Sequence, residues 1–376
     1  MPVFEILQQR GIEVYVVNAR HTKNLPGRKS DLAECQGLLK LHTFGLLNNS
    51  FQPSDAVRAM PTLWRHRGGL VAQASSAIQR MQKALIEMKI QLSNVLSDLS
   101  GVSGMAIVQA ILDGERAPRQ LAALADPQVK ASQAVIAKSW HANWRPELLF
   151  VLSQEVRIHR EYQDKIAACD QQLQQHLRGM ESKVDLVAHP IGPRPKGKRA
   201  RGNAPKFDLR TELYRLTGVD WSQVDGIDVQ VAETVIAEVG TNRDAFPSEK
   251  HFANWLGLCP RNETSGGKVL NRRTPKVVNR AKVALRQAAT SLLKSNSYLG
   301  AQYRRLRTRL GAPKAITAMA RKLACLFYRL LTKGQQYVDK GAAYYESRHR
   351  EQQVRFLIKR AHQLGLQIVP PERQIS

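Results

Sequence analysis

Hydrophobic positions recur at spacings of three and four along most of this chain, the period of a helix packed on one side. The clearest run is Ile78, Met81, Leu85, Met88, Leu92, Val95 and Leu99. It sustains a heptad seam over about three heptads and predicts a coiled-coil helix. A second run follows Pro146 through Leu152, His159, Tyr162, Ile166, Cys169 and Leu173, with one gap at Glu155. Such helices can pair within one chain, pair across a dimer, or belong to an ordinary bundle. Between them, residues 101–144 read as shorter helices.

The N-terminal pattern differs. Phe4, Ile6 and Leu7 form a short helical face before Gly11, and Ile12–Asn18 is a β-branched run suited to a buried strand. Pro26-Gly27 marks a turn. Ser30 and Asp31 stand where a helix through Leu38, Leu39 and Leu41 would be capped. A strand entering a helix is half of a βαβ unit. Beyond about Phe207 the helical period returns, in Val231–Val239 ending at Gly240, in Arg280–Leu293 and in Ala315–Leu331. Residues 188–206 carry no period. They are rich in Pro, Gly and basic residues and predict a linker, laid on phosphates or simply solvated. The expected fold is mainly α with a remnant of an α/β unit. The expected segments are 1–70 (partial α/β domain), 71–187 (helical coiled-coil region), 188–206 (basic linker) and 207–376 (C-terminal helical domain).

Charge narrows the partners. Lys and Arg number 57 against 31 Asp and Glu, a formal net charge of +26. That self-repulsion calls for a polyanion. No apolar run approaches the roughly 18 residues of a membrane span, and no signal-peptide pattern opens the chain. Nucleic acid is the expected partner and the cytoplasm the expected place. Cys35, Cys169, Cys259 and Cys325 form no CxxC pair, so neither a zinc site nor a disulfide framework is predicted.

Four stretches could carry chemistry. Val224-Asp225-Gly226-Ile227-Asp228 before an apolar helix reads as a helix-hairpin-helix that holds a DNA phosphate, or as a plain helical corner. In Ser265-Gly266-Gly267-Lys268 a serine meets a backbone able to approach a phosphate. Lys268, Arg272, Arg273, Lys276 and Arg280 stand ready as phosphate contacts, and Lys282 follows closely as a further cation near a phosphoryl group. Composition alone favours a flexible Ser-Gly-Gly loop. Asp31 and Glu34 lie on one helical face and could share Mg²⁺, or be an ordinary exposed acidic pair. Tyr303 to Arg309 places alternate arginines beside a tyrosine, for phosphate or RNA contact or as a solvated helix end.

Taken in order, these segments resemble the insertion-sequence transposases of the IS110/IS1111 type. The likeness is carried by Val16-Val17-Asn18-Ala19-Arg20, Gly27-Arg28-Lys29-Ser30-Asp31 and Leu41-His42-Thr43-Phe44-Gly45-Leu46-Leu47. It continues through Gly257-Leu258-Cys259-Pro260, Ser265-Gly266-Gly267-Lys268 and Leu310-Gly311-Ala312-Pro313-Lys314-Ala315. The resemblance implies a RuvC-like domain with an Asp-Glu-Asp-Asp metal set, a coiled-coil insertion and a C-terminal domain with a serine nucleophile. It also implies Mg²⁺, DNA at the element ends and target, an element-encoded guide RNA, and a homo-oligomer without membrane attachment. Residue by residue, Asp31 matches the third acidic ligand, Glu34 stands where the fourth Asp is expected, and Ser265 matches the nucleophile.

The family's first two acidic ligands precede the Val-Val-Asn strand and have no counterpart in this chain. On that reading the chain is N-terminally truncated and weak or inactive in transposition. Three functions stay open: a transposase, a catalytically defective DNA- or RNA-binding relic or regulator of the same family, and a basic RNA-binding structural protein.

Overall fold

A computed structural model describes residues 2–17, 30–47, 49, 55–94, 96, 98–126, 143–195, 202–241, 246–260, 262–271, 273–275, 277–334 and 339–367. The protein is mainly helical and divides into two compact units, Met1–Ser54 and Asp55–Ser376.

The first unit holds α1 (Pro2–Gln9) and α2 (Asp31–Thr43). Ser30 caps α2 by accepting a hydrogen bond from the Ala33 amide at 3.4 Å, as its place in the sequence predicts. Residues 12–17 are extended but join no β-ladder among the described residues. The Val16 amide donates instead to the Asn49 side chain at 3.0 Å, and Tyr15 meets His42 edge-on at 5.2 Å. The expected strand is therefore present in backbone direction only, because no described segment offers it a partner. Asn18, Ala19, Arg20 and the Pro26-Gly27 turn lie outside the described residues. No residue of α2 is buried.

The second unit opens with a hairpin of two long helices, α3 (Asp55–Glu87) and α6 (Pro146–Arg178). They run antiparallel: Arg80 pairs with Glu155 at 2.7 Å near one end, and Arg67 pairs with Asp170 near the other. Pairing is thus within the chain. Glu155 was the gap in the apolar period, and its carboxylate is matched by Arg80. Leu70, Ala74 and Ile166 pack midway along the hairpin. Helix α3 continues without a break through position 70.

The heptad seam does not stay helical to Leu99. Helix α3 stops at Glu87, and Lys89 takes a left-handed φ of 61°. The Ile90 amide reaches back to the Leu85 carbonyl at 2.9 Å and the Lys89 amide to Ile86 at 2.8 Å, a Schellman closure with lysine in the place usually held by glycine. Met88, Ile90, Leu92 and Leu99 remain buried, but they enter the core from a turn. That core, at the tip of the hairpin, includes Leu148, Leu152 and Val156 of α6 with Ile107, Val108 and Ile111 of α4 (Val102–Leu112), and Leu121 of α5 (Pro118–Ala123). Gly104 makes the close approach possible, since a Cβ there would lie 2.2 Å from the Leu99 carbonyl oxygen.

The rest of the unit contains α7 (Leu209–Thr217), α8 (Val229–Val239), α9 (Glu249–Trp255), strands β1 (Glu263–Ser265) and β2 (Lys268–Asn271), α10 (Arg280–Ser291), α11 (Tyr298–Leu310), α12 (Ala312–Lys333) and α13 (Gly341–Gln363). Helix α12 is the hub. It packs on α9, α10 and α11, and buries Met319, Leu323 and Phe327 completely. Phe327 stacks on Trp221 at 4.2 Å, and the indole N–H donates to Thr217 Oγ1 at 3.1 Å.

The described ends of the basic linker are fastened to helices. Arg210 donates to the Gly192 carbonyl at 2.7 Å, Arg67 to Asn203 at 3.0 Å, and the Lys206 amide to Asp170 at 3.0 Å. The run Lys196–Arg199 lies outside the described residues.

Candidate functional site

The Ser265 stretch folds as a β-hairpin. Ser265 pairs with Lys268 and Thr264 with Val269, leaving Gly266 and Gly267 as a two-residue turn. Their φ values of 53° and 76° are both left-handed, as a type I′ turn requires. A Cβ at either position would meet nothing within 4 Å, so glycine is needed there for conformation rather than for space. Directly paired residues point to the same face of a ladder, so Lys268 shares its face with Ser265. Both are exposed, and the Ser265 hydroxyl makes no side-chain hydrogen bond among the described residues. The serine is therefore an accessible hydroxyl at the tip of a defined turn.

The base of this hairpin is anchored to the helical core. Gly257 closes α9 at φ 67°, and a Cβ there would press on Val277 at 2.8 Å and on the Lys282 ammonium at 3.3 Å. Lys282, in the first turn of α10, donates to the Pro275 carbonyl at 3.2 Å. Its ammonium thus bridges the two stems that carry the hairpin. Partial burial, and then the nearby Arg286 charge, hold its pKa below the usual lysine value. In the sequence it stands with the other basic residues that follow the Ser-Gly-Gly stretch, and no local pattern there marks it as partly buried.

Arg280 is exposed in the same first turn of α10, and Arg273 is exposed on the hairpin's return. That turn carries no acidic residue. Cations placed there add to the positive end of the helix dipole and favour an anion in front of it. Arg272 and Lys276 lie outside the described residues.

Asp31 and Glu34 occupy the first turn of α2 and are both exposed, where carboxylates also suit the helix dipole. Among the described residues no group of three or more His, Cys, Asp or Glu gathers as a metal would require. Two exposed carboxylates one turn apart are nevertheless fitting donors for Mg²⁺, which fills its shell with water and phosphate oxygens.

The Val224–Asp228 corner is built differently from a phosphate cradle. Gly226, at φ 81°, sits against Leu292 and the Ala288 carbonyl, where a Cβ would lie 3.0–3.1 Å away. Asp228 caps α8 by accepting from the Val231 amide at 2.8 Å, which places a carboxylate where a phosphate would bind. Tyr303 is buried at 2% exposure, so it is a core residue rather than a partner for the arginines around it. Arg304 donates to the Leu293 and Ser295 carbonyls at 3.3 and 2.6 Å.

One acid of the second unit is buried in the core. Glu233 of α8 is fully buried, and neither carboxyl oxygen has a hydrogen-bond partner. Burial pushes its pKa up to about 8, against the opposing pull of Arg67. The helix around it is fixed by Trp64, which donates to Thr234 at 3.1 Å, and by Arg65, which grips Glu238 at 2.7 and 2.8 Å.

Comparison with known families matches two segments. The model described as Transposase IS116/IS110/IS902 family matches residues 221–304, which include α8, α9, the Ser265 hairpin and α10. A DEDD-class transposase model of the IS110 type matches residues 1–90, which include Asp31 and Glu34. No curated protein matches the chain. Both models describe transposases of the IS110 type, and the two matches together support an IS110-type insertion-sequence transposase. Among the described residues no helix is long and apolar enough to cross a membrane.

Proposed function

We propose that this transposase cuts and rejoins DNA through Ser265. The observation that carries the reading is the hairpin turn itself: an exposed hydroxyl, opposite an exposed lysine, on a stem locked to a helical core by Lys282. The Ser265 Oγ attacks a phosphodiester phosphorus. An Oγ–P bond forms, the P–O bond to the leaving sugar oxygen breaks, the serine loses its proton and the leaving oxygen gains one. Attack of a second DNA hydroxyl on the phosphoserine reverses these exchanges and frees Ser265. Lys268 neutralises charge that develops on the phosphoryl oxygens, and Arg273 and Arg280 hold flanking phosphates.

Asp31 and Glu34 would hold Mg²⁺, whose charge offsets that of the phosphates. The basic surface and the absence of a base-reading helix motif fit a guide RNA that supplies sequence choice by pairing, in a homo-oligomer working on element ends and target. The N-terminal unit then serves as a RuvC-like partner of the serine domain.

The test is cleavage of end-labelled DNA carrying an element terminus, with Mg²⁺ and the RNA encoded beside the gene. Ser265→Ala is expected to abolish cleavage, and Lys268→Ala to slow it by about 10²-fold or more. Cleavage by Ser265→Ala at the wild-type rate would refute the serine mechanism. Salt-sensitive binding with no cleavage by either protein would instead support a binding relic or regulator.

A further inference from the structure

Helices α11, α12 and α13 build a second basic surface that the serine reading does not use. The start of α13 is tied down by the Tyr298 amide, which donates to Asp339 at 3.0 Å, and by the Ala342 amide, which donates to the Asn296 carbonyl at 3.3 Å. This anchoring sets the first turns of α13 between two cavities. One, of about 340 Å³, is lined by Lys322, Lys340, Tyr344 and Arg348 among others. The other, of about 820 Å³, lies between α11 and α13 and is lined by Arg309, Tyr345 and His349 among others.

The aromatic groups between the cavities form a connected set. Tyr298 meets Tyr345 edge-on at 5.0 Å and Tyr344 at 6.3 Å, and the Lys340 ammonium sits 4.9 Å over the Tyr344 ring. Tyr344 remains exposed at 40%. Arg309 and Lys322 make no ion pair or hydrogen bond among the described residues. Cations in two cavities flanking an exposed ring are what a nucleic-acid strand with free base faces requires: phosphates meet the charges and a base stacks on the ring. A duplex offers the phosphates but keeps its bases stacked on each other.

We infer that this surface binds an unpaired nucleic-acid strand, with a base stacked on Tyr344 and phosphates held by Arg309, Lys322 and Arg348. It is a binding site separate from the Ser265 hairpin. The inference rests on the transposase reading only in taking nucleic acid as the partner.

The experiment measures polarisation of fluorescein-labelled oligouridylate, oligothymidylate and a duplex of equal length with the full chain across a salt series. Tyr344→Leu is expected to weaken binding of an unpaired strand about fivefold or more, to spare the duplex, and to leave the salt slope unchanged. Tyr344→Phe, which keeps the ring, should bind like the wild type. The double variant Arg309→Ala/Lys322→Ala should lower the slope of log affinity against log salt by about 1.4, the contribution of two single-strand phosphates. Lys83→Ala, a cation removed from α3, should change neither. An effect confined to oligouridylate makes the strand RNA, and one confined to oligothymidylate makes it DNA. Unchanged binding in Tyr344→Leu, or equal weakening on duplex and single strand, would overturn the proposal. Neither result bears on Ser265, whose test reads a cut strand.

Discussion

The two compact units of the chain are held together in opposite ways. In the first unit, Leu32, Leu39 and Phe44 are exposed at 71%, 65% and 74%, and Phe4 is its one buried hydrophobic residue among those described. In the helical core of the second unit, by contrast, Trp221, Phe252, Leu285, Met319 and Phe327 are all at 2% or less. A proposed nucleophile needs a rigid support, and the stems flanking the Ser265 hairpin are fixed at Gly257 and Lys282. The proposed metal ligands sit on a helix that buries nothing, held mainly by a cap and by its own backbone. The difference separates what each region contributes alone: a positioned hydroxyl in one, an exposed acidic pair in the other.

The sharpest test of that contrast is a matched truncation. Phe327→Ala is expected to cost about 3–5 kcal/mol of stability in urea unfolding, whereas Phe44→Ala should change it by about 0.5 kcal/mol or less. Similar costs would erase the distinction.

Ion pairs make the same point. Arg67 and Asp170 are 5% and 3% exposed, so Asp170→Ala strands a buried guanidinium and should cost about 3–5 kcal/mol. The Arg65–Glu238 pair has its arginine side chain 45% exposed, and Glu238→Ala should cost about 1 kcal/mol or less.

Glu233 gives the large unit a pH signature. Its folded pKa of about 8 lies above the ordinary 4.5, so the folded state binds the extra proton between those values. Stability conferred by the protonated form is full below about 4.5, falls as pH rises to about 8, and is level beyond. Glu233→Leu should remove that slope and raise stability at pH 8 by about 1–3 kcal/mol, read from urea midpoints across pH. A slope that survives the substitution would assign it to another group.

The smallest effect concerns the hairpin end. Lys89→Gly relieves a left-handed lysine and should stabilise the protein by about 1 kcal/mol, visible as a raised thermal midpoint.

Legibility in the sequence followed the range of the forces. Helices with a one-sided apolar period, such as Val231–Val239 and Ala315–Leu331, were readable because each carries its own pattern. The Ser30 cap was readable as local chemistry, whereas the two-glycine hairpin turn after Ser265 was not, because composition there pointed to a flexible loop. The end of α3 at Lys89 was not, because a lysine in a Schellman closure leaves the heptad period intact on both sides. The Arg67–Asp170 pair joins residues 103 apart in the chain, so no local pattern announces it. The run Ile12–Val17 read as a strand from its β-branched residues, but a ladder needs a second segment, and the described residues supply none.

The central claim is that Ser265 forms a covalent bond to DNA. The most direct measurement incubates the full chain with Mg²⁺, the flanking RNA and element-end DNA, denatures the mixture, and locates any nucleotide-bearing peptide by mass spectrometry. The account predicts a phosphodiester adduct on the peptide containing Ser265, absent in Ser265→Ala. An adduct on any other residue, or cleaved DNA with no adduct at any time point, would contradict it.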